Sequence, residues 1–349
     1  MEEPHKSSAG FPVKIAQIIK ETSDVKTFLF EYTPTVNYSS GQYLTFIFTI
    51  PEKEIRRSYS ICSSPLGKEL LGITFRRIPN GIVSRLLFDQ FQVGDILRTT
   101  GAGGFFVLPL QIQQYHHVFF FAAGTGIVPV FSILKSLLYE KGDVSAVLVY
   151  SSKSKQQCIY FQQLQNLQAI YGSRITIHFL FSNDTYLEKA RLNNLFLEAM
   201  ISQYNSIDLE KSLFFLCGPT AYMRMIEFEL RTAGIEASMI RKEIFDTSKP
   251  LISSIPANIH SRQVEIHYKG NIHHIVVKYP VSILAQARKN NIDLPFSCEA
   301  GKCGNCAALC IKGKIWMLNN EVLTNQDVQK GFVLTCTGFP IEGDVIISF

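Results

Sequence analysis

Four cysteines constrain this chain more than anything else in it. Cys298, Cys303 and Cys306 lie in the run Cys-Glu-Ala-Gly-Lys-Cys-Gly-Asn-Cys, and Cys336 follows later in Leu-Thr-Cys-Thr. A C-x4-C-x2-C run with a distant fourth thiol is the spacing that brings four thiolates to a [2Fe–2S] cluster. Gly301 and Gly304 allow the loop to wrap tightly, with backbone N–H groups turned toward the sulfurs. A structural zinc site and a disulfide pair are the alternatives. Zinc sites are usually built from two C-x2-C knuckles, of which this stretch has one, and nothing in the sequence points to an oxidising compartment. Cys310 stands in strand-like alternation and reads as a small core residue, as do Cys62 and Cys158.

At 349 residues the chain exceeds one ordinary core, so roughly two or three domains are expected. With 46% hydrophobic and 12% aromatic residues and no low-complexity tract, it is expected to fold along its whole length. The first ten residues are polar and read as a flexible tail rather than a signal peptide. No apolar run approaches the ~20 residues of a membrane span. Eight cysteines, four of them assigned to a cluster, fit the cytoplasm better than a disulfide framework. The net charge of +5 is spread along the chain, which argues against a nucleic-acid partner and suits solubility or docking to an acidic protein.

From Phe11 the chain reads as short alternating strands, Phe11 to Ile19, Val25 to Tyr32 and Gln42 to Ile50, punctuated by Gly41 and Pro51. This rhythm predicts a small antiparallel barrel. In Arg56-Arg57-Ser58-Tyr59-Ser60, a guanidinium offers fork-shaped donors to a phosphate and an aromatic ring offers a stacking surface. Gly81-Ile82-Val83-Ser84 follows a strand from Gly72 to Arg77 and precedes Arg85-Leu86-Leu87-Phe88, which can open a helix.

At Val118 the pattern changes. A buried-strand run from Val118 to Ala123 leads into Gly124-Thr125-Gly126-Ile127-Val128-Pro129, and then Val130, Phe131, Leu134, Leu137 and Leu138 give a helix with Pro129 in its first turn. The glycines let a pyrophosphate approach the backbone at a positive helix end. Strands at Val144 to Tyr150, Ile175 to Phe181 and Leu213 to Leu216 alternate with helical segments, which predicts a doubly wound parallel sheet. After Tyr150, Ser151, Ser152 and Lys153 offer hydroxyls and a cation to a ribose 2′-phosphate, and no Asp or Glu occurs from Val144 to Asn183. NADPH is therefore expected over NADH. The pairs His116–His117 and His273–His274 lie in strand-like text and need no metal.

Taken together, these motifs resemble the ferredoxin–NADP⁺ reductase family. The resemblance implies that Arg57 pairs with the FAD pyrophosphate, Tyr59 packs on the isoalloxazine and the Ser60 hydroxyl reaches flavin N5. It implies that Gly81, Val83 and Ser84 bind the pyrophosphate, and that Gly101-Ala102-Gly103-Gly104-Phe105 ends an FAD-bearing domain. Gly124, Thr125, Gly126 and Pro129, with Ser152 and Lys153, would bind the nicotinamide nucleotide. Cys217-Gly218-Pro219 resembles the turn beside the nicotinamide, where a thiol lies close to the hydride-bearing carbon. Ile240 to Phe245 is similar to a closing segment whose Glu243 and Phe245 approach the flavin. Ser60, Cys217 and Glu243 are thereby the expected catalytic residues.

Thr247 to Asn258 is a Ser/Pro-rich connector. Beyond it, strands at Gln263 to Tyr268 and His273 to Lys278, a helix at Ile283 to Arg288 and Ile292 to Ser297 lead into Cys298. This order resembles the β-grasp domain of plant-type ferredoxins. The expected organisation is a tail (1–10), an FAD-binding antiparallel β-barrel (11–110), an NAD(P)-binding α/β doubly wound domain (111–247), a linker (248–261) and a [2Fe–2S] ferredoxin-like domain (262–349). The chain is most similar to reductase subunits of the phenylacetyl-CoA epoxidase type, which implies a cytoplasmic reductase of phenylacetate catabolism. Electrons would pass from NADPH to FAD to [2Fe–2S] to a separate oxygenase component, since a hydride carries two electrons and the cluster accepts one at a time. Two alternatives stay open: an FMN-type dioxygenase reductase using NADH, and a non-enzymatic docking protein with a four-cysteine zinc site.

Overall fold

The computed structural model describes residues 10–31, 36–50, 53–186, 190–204, 209–246, 248, 255–256 and 258–349. Most of the expected tail and much of the expected linker lie outside the described residues. The chain divides into two compact units, one formed by Phe11–Phe48 with Ser58–Glu243 and the other by Thr49–Arg57 with Ile244–Phe349.

The three strands read from alternation are present as β1 (Phe11–Lys20), β2 (Val25–Phe30) and β3 (Tyr43–Ile50); β4 (Lys53–Ser60) and β6 (Ile96–Gly103), which the pattern does not give, join them with β5 (Gly72–Arg76), the strand read before Gly81. They form an antiparallel sheet in the order β4-β3-β6-β1-β2-β5. Ile61, the residue after β4, bridges Ile73 on β5, so the two ends of that order meet and the sheet closes into a barrel. Val13, Ile15, Phe28, Phe30 and Phe46 are buried in it, and Phe28 meets Phe75 edge-on at 4.8 Å. Helix α1 (Ile82–Asp89) follows β5.

The second sheet of this unit contains β7 (His117–Ala123), β8 (Ser145–Ser152), β9 (Ile175–Phe181), β10 (Ser212–Cys217) and β11 (Ile240–Glu243), all parallel, in the order β11-β10-β7-β8-β9. Helices α2 (Ile127–Tyr139), α3 (Phe161–Tyr171), α4 (Asn194–Tyr204) and α5 (Thr220–Thr232) connect these strands. Helices cover both faces of such a sheet, which is why β7 is an unbroken apolar run whose Phe119, Phe120 and Phe121 are all buried.

Helix α2 departs from the amphipathic pattern expected of it. Every residue from Ile127 to Leu138 is buried, Ser132, Lys135 and Ser136 included. Its polar groups are matched by the loop after β4. Lys135 Nζ donates to both Glu69 carboxylate oxygens at 2.6 and 2.7 Å, Ser132 donates to the Ser63 carbonyl at 2.6 Å, and Ser136 bonds Ser64 and Ser40. A helix enclosed on all sides carries polar residues only where each finds a partner.

The other unit contains β12 (Arg262–Tyr268), β13 (Asn271–Val277), helix α6 (Ile283–Lys289), β14 (Ala307–Met317), the short helix α7 (Asn325–Gln329), β15 (Phe332–Leu334) and β16 (Gly338–Ser348). Its sheet runs β13-β12-β16-β14-β15, with β12 parallel to β16 and the other pairs antiparallel. Ser282 caps α6 by accepting from the Ala285 amide, and α6 buries Ile283, Leu284 and Ala287, giving the expected β-grasp arrangement. Cys62 and Cys158 are buried as expected, but Cys310 is not a core residue. The pairing register shifts between Cys310 and Lys312, and the half-buried thiol faces the Lys312 carbonyl at 3.4 Å. Leu309 and Ile311 on either side are exposed, so Cys310 keeps the inner side of the alternation but is only partly covered where the register shifts. No helix among the described residues is long and apolar enough to cross a membrane.

The Lys135–Glu69 pair yields a stability prediction. Lys135 is 7% exposed and Glu69 35% exposed, so Lys135→Ala should cost about 3 kcal/mol, the low end of the range for breaking a buried pair. Lys135→Met, which keeps the volume, should cost less. Urea denaturation of both variants tests this, and a Lys135→Met protein as stable as the wild type would contradict the ion-pair account.

Candidate functional site

The cysteine loop is shaped by backbone conformation. Glu299, Gly301 and Gly304 all have positive φ (52°, 73° and 78°), and a Cβ on Gly301 would stand 2.4 Å from the Asn319 carbonyl oxygen. This winding directs amides at sulfur: Ala300 N–H reaches Cys298 Sγ at 3.4 Å and Asn305 N–H reaches Cys303 Sγ at 3.5 Å. The Lys302 and Cys303 amides also reach Cys298, and the Gly301 amide reaches Cys336. Thr335 donates through its amide (3.1 Å) and hydroxyl (2.9 Å) to the Cys306 carbonyl, which fixes the distant strand beside the loop.

The four thiols meet two by two, Cys298 with Cys303 and Cys306 with Cys336. A four-coordinate zinc site needs all four thiolates on one ion, whereas a two-iron cluster takes two on each iron. The donor set therefore fits [2Fe–2S]. Hydrogen bonding from Cys303 and the amides holds the Cys298 thiol below its ordinary value, while the same thiol–thiol bond and burial push Cys303 up. Lys302, buried in the loop, pairs with Asp246 at 2.9 Å. Asp246 is held well below the usual carboxylate range by the Ser248 hydroxyl and amide and by Lys302.

The parallel sheet builds a second site at the carboxyl ends of its strands. β8 and β9 lie to one side of β7, β10 and β11 to the other, so the topological switch falls between β7 and β10. Both glycine turns are there. Gly124–Gly126 forms a single 3-10 turn after β7, with Gly124 at φ +55°. A Cβ on Gly126 would lie 2.0 Å from the Cys217 carbonyl oxygen, and one on Gly218 would lie 3.0 Å from Ala123 Cβ. The two turns thus touch through backbone, and Pro129 is buried in the first turn of α2. The Tyr150 hydroxyl donates to the Gly124 carbonyl and accepts from the Ile159 amide, both at 3.1 Å, bracing the turn from below.

Cys217 pairs in register with Glu243 across β10 and β11, and both are buried. Burial, and then the Glu243 charge, push the Cys217 thiol well above its ordinary value; burial pushes Glu243 up to about 8. At neutral pH this strand end presents an uncharged thiol and an uncharged acid. A cleft of about 510 Å³ opens beside the turns, lined by Gly124, Ser151, Ser152, Lys153, Arg76, Arg191 and Tyr222 among others. Arg76 is paired there with Asp24 at 3.2 Å.

On the barrel, Tyr59 rests against Phe46 and Phe75, with ring centroids 6.2 and 5.5 Å away, and Ser60 is buried. Arg57 is exposed on β4, its guanidinium donating to the Arg56 carbonyl at 2.8 Å. α1 begins at Ile82, with Gly81 as its N-cap, Val83 buried and no side-chain cap. The Ser84 hydroxyl accepts from the Ile78 amide (3.1 Å) and reaches the Gly81 carbonyl (3.4 Å), so it closes its own turn. Phe245, beyond β11, is exposed.

Several participants carry no sequence signal of their own. Arg76 and Arg191 stand in ordinary polar text, and Tyr150, Tyr222, Thr335 and Lys302 act through partners distant in sequence. For Tyr150 and Tyr222 the available signal is the pair of glycine turns, since each turn must be braced by something.

Comparison with known proteins gives the same three parts in the same order. Residues 12–108 match the oxidoreductase FAD-binding domain, 120–227 the oxidoreductase NAD-binding domain and 266–340 the 2Fe-2S iron-sulfur cluster binding domain. The ferredoxin reductase component of 3-ketosteroid-9-alpha-monooxygenase from Rhodococcus rhodochrous is 28% identical over 365 residues, covering 100% of this chain and 99% of that protein. A component of the 1,2-phenylacetyl-CoA epoxidase of Escherichia coli is 27% identical, covering 96% of each. Phthalate dioxygenase reductase, a modular structure for electron transfer from pyridine nucleotides to [2Fe–2S], superposes with a TM-score of 0.59 at 21% identity, covering 97% of this chain and 98% of that one.

The Glu243 carboxyl gives a pH prediction. Its folded value of about 8 lies above the 4.5 of an unperturbed glutamate, so its contribution to stability is fully present below about pH 4.5 and is lost as pH rises toward 8. Stability measured relative to Glu243→Gln, which stays neutral, should fall across that window. A difference that does not change with pH would contradict the burial of an uncharged acid.

Proposed function

We propose that this chain, which belongs to the ferredoxin–NADP⁺ reductase family and ends in a [2Fe–2S] ferredoxin domain, draws electrons from NADPH and delivers them to a separate oxygenase component. The observation that carries this reading is the two-by-two meeting of four thiols in a chain that also builds a dinucleotide crevice at a sheet switch point. FAD, when bound, converts a two-electron hydride into single electrons, and a [2Fe–2S] cluster takes them singly.

Each residue set has its own task in this proposal. Cys298, Cys303, Cys306 and Cys336 hold the cluster, and the amides of Ala300, Gly301, Lys302 and Asn305 stabilise charge on their sulfurs. Arg57 addresses the FAD pyrophosphate and Tyr59 gives the flavin ring a surface. Gly81, Val83 and Ser84 present the amides of the α1 start; with the Ser84 hydroxyl engaged by Ile78, the backbone is the donor offered there. Ser60, and Phe245 beyond β11, are assigned to the flavin ring.

Gly124, Thr125, Gly126 and Pro129 receive the nucleotide pyrophosphate, and Cys217, Gly218 and Pro219 border the nicotinamide. Cys217 and Glu243, kept uncharged by burial, give the nicotinamide ring a close-packed border at the end of β10 and β11. Ser152 and Lys153 favour NADPH by facing its 2′-phosphate. The partner we favour is an oxygenase of the phenylacetyl-CoA epoxidase type, on the likeness to the Escherichia coli epoxidase component; the ketosteroid reductase component is as similar, so the organic substrate belongs to the partner.

Metal analysis and substitution test the assignment together. The purified protein should hold about two irons and two acid-labile sulfides per chain, and one zinc instead would overturn the proposal. Cys336→Ala should lose the cluster absorption and cytochrome c reduction yet keep ferricyanide reduction by NADPH, which needs only the flavin. Cys217→Ala should slow nucleotide oxidation with the cluster intact, and Cys310→Ala should spare both. A Cys336→Ala protein that retains its cluster would remove the distant thiol from the ligand set.

A further inference from the structure

Among the described residues, one buried polar group of the cysteine loop has no hydrogen-bond partner, the side-chain Nδ2 of Asn305. Asn305 stands between two of the four cysteines, two positions after Cys303 and directly before Cys306. A buried donor with no acceptor carries its full desolvation cost, and a native structure keeps such a group where a bound ion or cofactor supplies the acceptor or where a function requires it. The backbone donors of the same loop show what that acceptor is. The amides of Ala300, Gly301, Lys302, Cys303 and Asn305 itself all reach cysteine sulfur.

The backbone that carries this side chain is held from both sides. The Asn305 amide donates to Cys303 Sγ at 3.5 Å, and the Ala307 amide closes a turn onto the Gly304 carbonyl at 3.0 Å. Gly304 starts that turn with φ +78°, and Thr335 holds the Cys306 carbonyl from the distant strand. A side chain leaving so constrained a backbone has little freedom to reach another partner, and its Nδ2 is shut off from solvent. Thiolates and sulfides accept hydrogen bonds and donate none, so the NH2 end of an amide is the end that suits an iron–sulfur cluster.

We propose that the Asn305 side chain donates a hydrogen bond to sulfur of the bound [2Fe–2S] cluster and thereby raises its reduction potential. The proposal rests on the assignment of Cys298, Cys303, Cys306 and Cys336 as ligands, and adds a side-chain donor to the backbone amides. Reduction adds one electron to the cluster, so its sulfurs become more negative and the hydrogen bond is stronger in the reduced state than in the oxidised one. That difference favours acceptance of an electron from the flavin and makes its release to the oxygenase less favourable. Asn305 is thus a residue that tunes the cluster rather than one that ligates it.

Redox titration of the holoprotein, followed by the electron paramagnetic resonance of the reduced cluster, tests this. At equal iron content, Asn305→Ala should lower the equilibrium constant for cluster reduction about tenfold, a shift of about 59 mV to more negative potential for a one-electron couple. Asn305→Asp should shift it further, since a carboxylate there opposes the added electron. An Asn305→Ala potential equal to that of the wild type would overturn the proposal. Should the variants fail to assemble their clusters, the wild type alone decides: with asparagine isotopically labelled at the side-chain amide nitrogen, pulsed resonance should detect that nitrogen coupled to the reduced cluster, and no coupling would overturn the proposal. A wild type that shows no [2Fe–2S] signal would instead remove the ligand assignment, and this inference with it.

Discussion

A Cβ at position 126 would stand 2.0 Å from the carbonyl oxygen of Cys217, and this close approach governs the nucleotide half of the molecule. Because Gly126 has no side chain, the turn after β7 touches the turn after β10, and the switch point of the sheet becomes a crevice floored by backbone. Everything that borders the crevice is placed by that contact. Cys217 is fixed at the end of β10 with Glu243 beside it in register, Tyr150 braces the Gly124 carbonyl from below, and α2 starts directly from the glycine turn. A side chain at Gly126 would separate the turns and disturb all three.

Buried charge is handled by the same rule in both units. Within the larger one, Lys135 enters an otherwise apolar helix only because Glu69 meets it with both oxygens, and Glu69 in turn accepts from the Ser64 amide at 2.8 Å. Within the smaller one, Lys302 is buried in the cysteine loop and meets Asp246 and Ser248. A buried cation without such partners would carry its full desolvation cost. Where no partner is supplied, the group is neutral instead, as at Cys217 and Glu243.

Much of this architecture is legible in the sequence because its signals are local. Period-two alternation locates β1 to β3, the apolar run before Gly124 locates β7, and cysteine spacing locates a loop whose glycines bear out the tight winding expected of it. What stays hidden depends on groups far apart in the chain. Periodicity gives α2 one apolar face, because the loop that covers its polar residues lies more than sixty positions earlier, around Ser63 to Glu69. Alternation gives Cys310 its side of the strand but not how well that side is covered, since the register shift after it leaves no mark in the pattern. The serine of Gly81-Ile82-Val83-Ser84 reads as a phosphate donor, while its hydroxyl also closes the turn from Ile78, a role that only coordinates reveal.

The central claim is that a single chain carries electrons from a nicotinamide nucleotide to its own iron–sulfur cluster. Anaerobic rapid mixing of the purified protein with NADPH, followed by freezing and electron paramagnetic resonance, tests this most directly. The account predicts that the signal of a reduced [2Fe–2S] cluster develops on the timescale of a single turnover with no added mediator. A cluster that stays oxidised after the nucleotide has been consumed, and is reduced only once a soluble mediator is supplied, would contradict it.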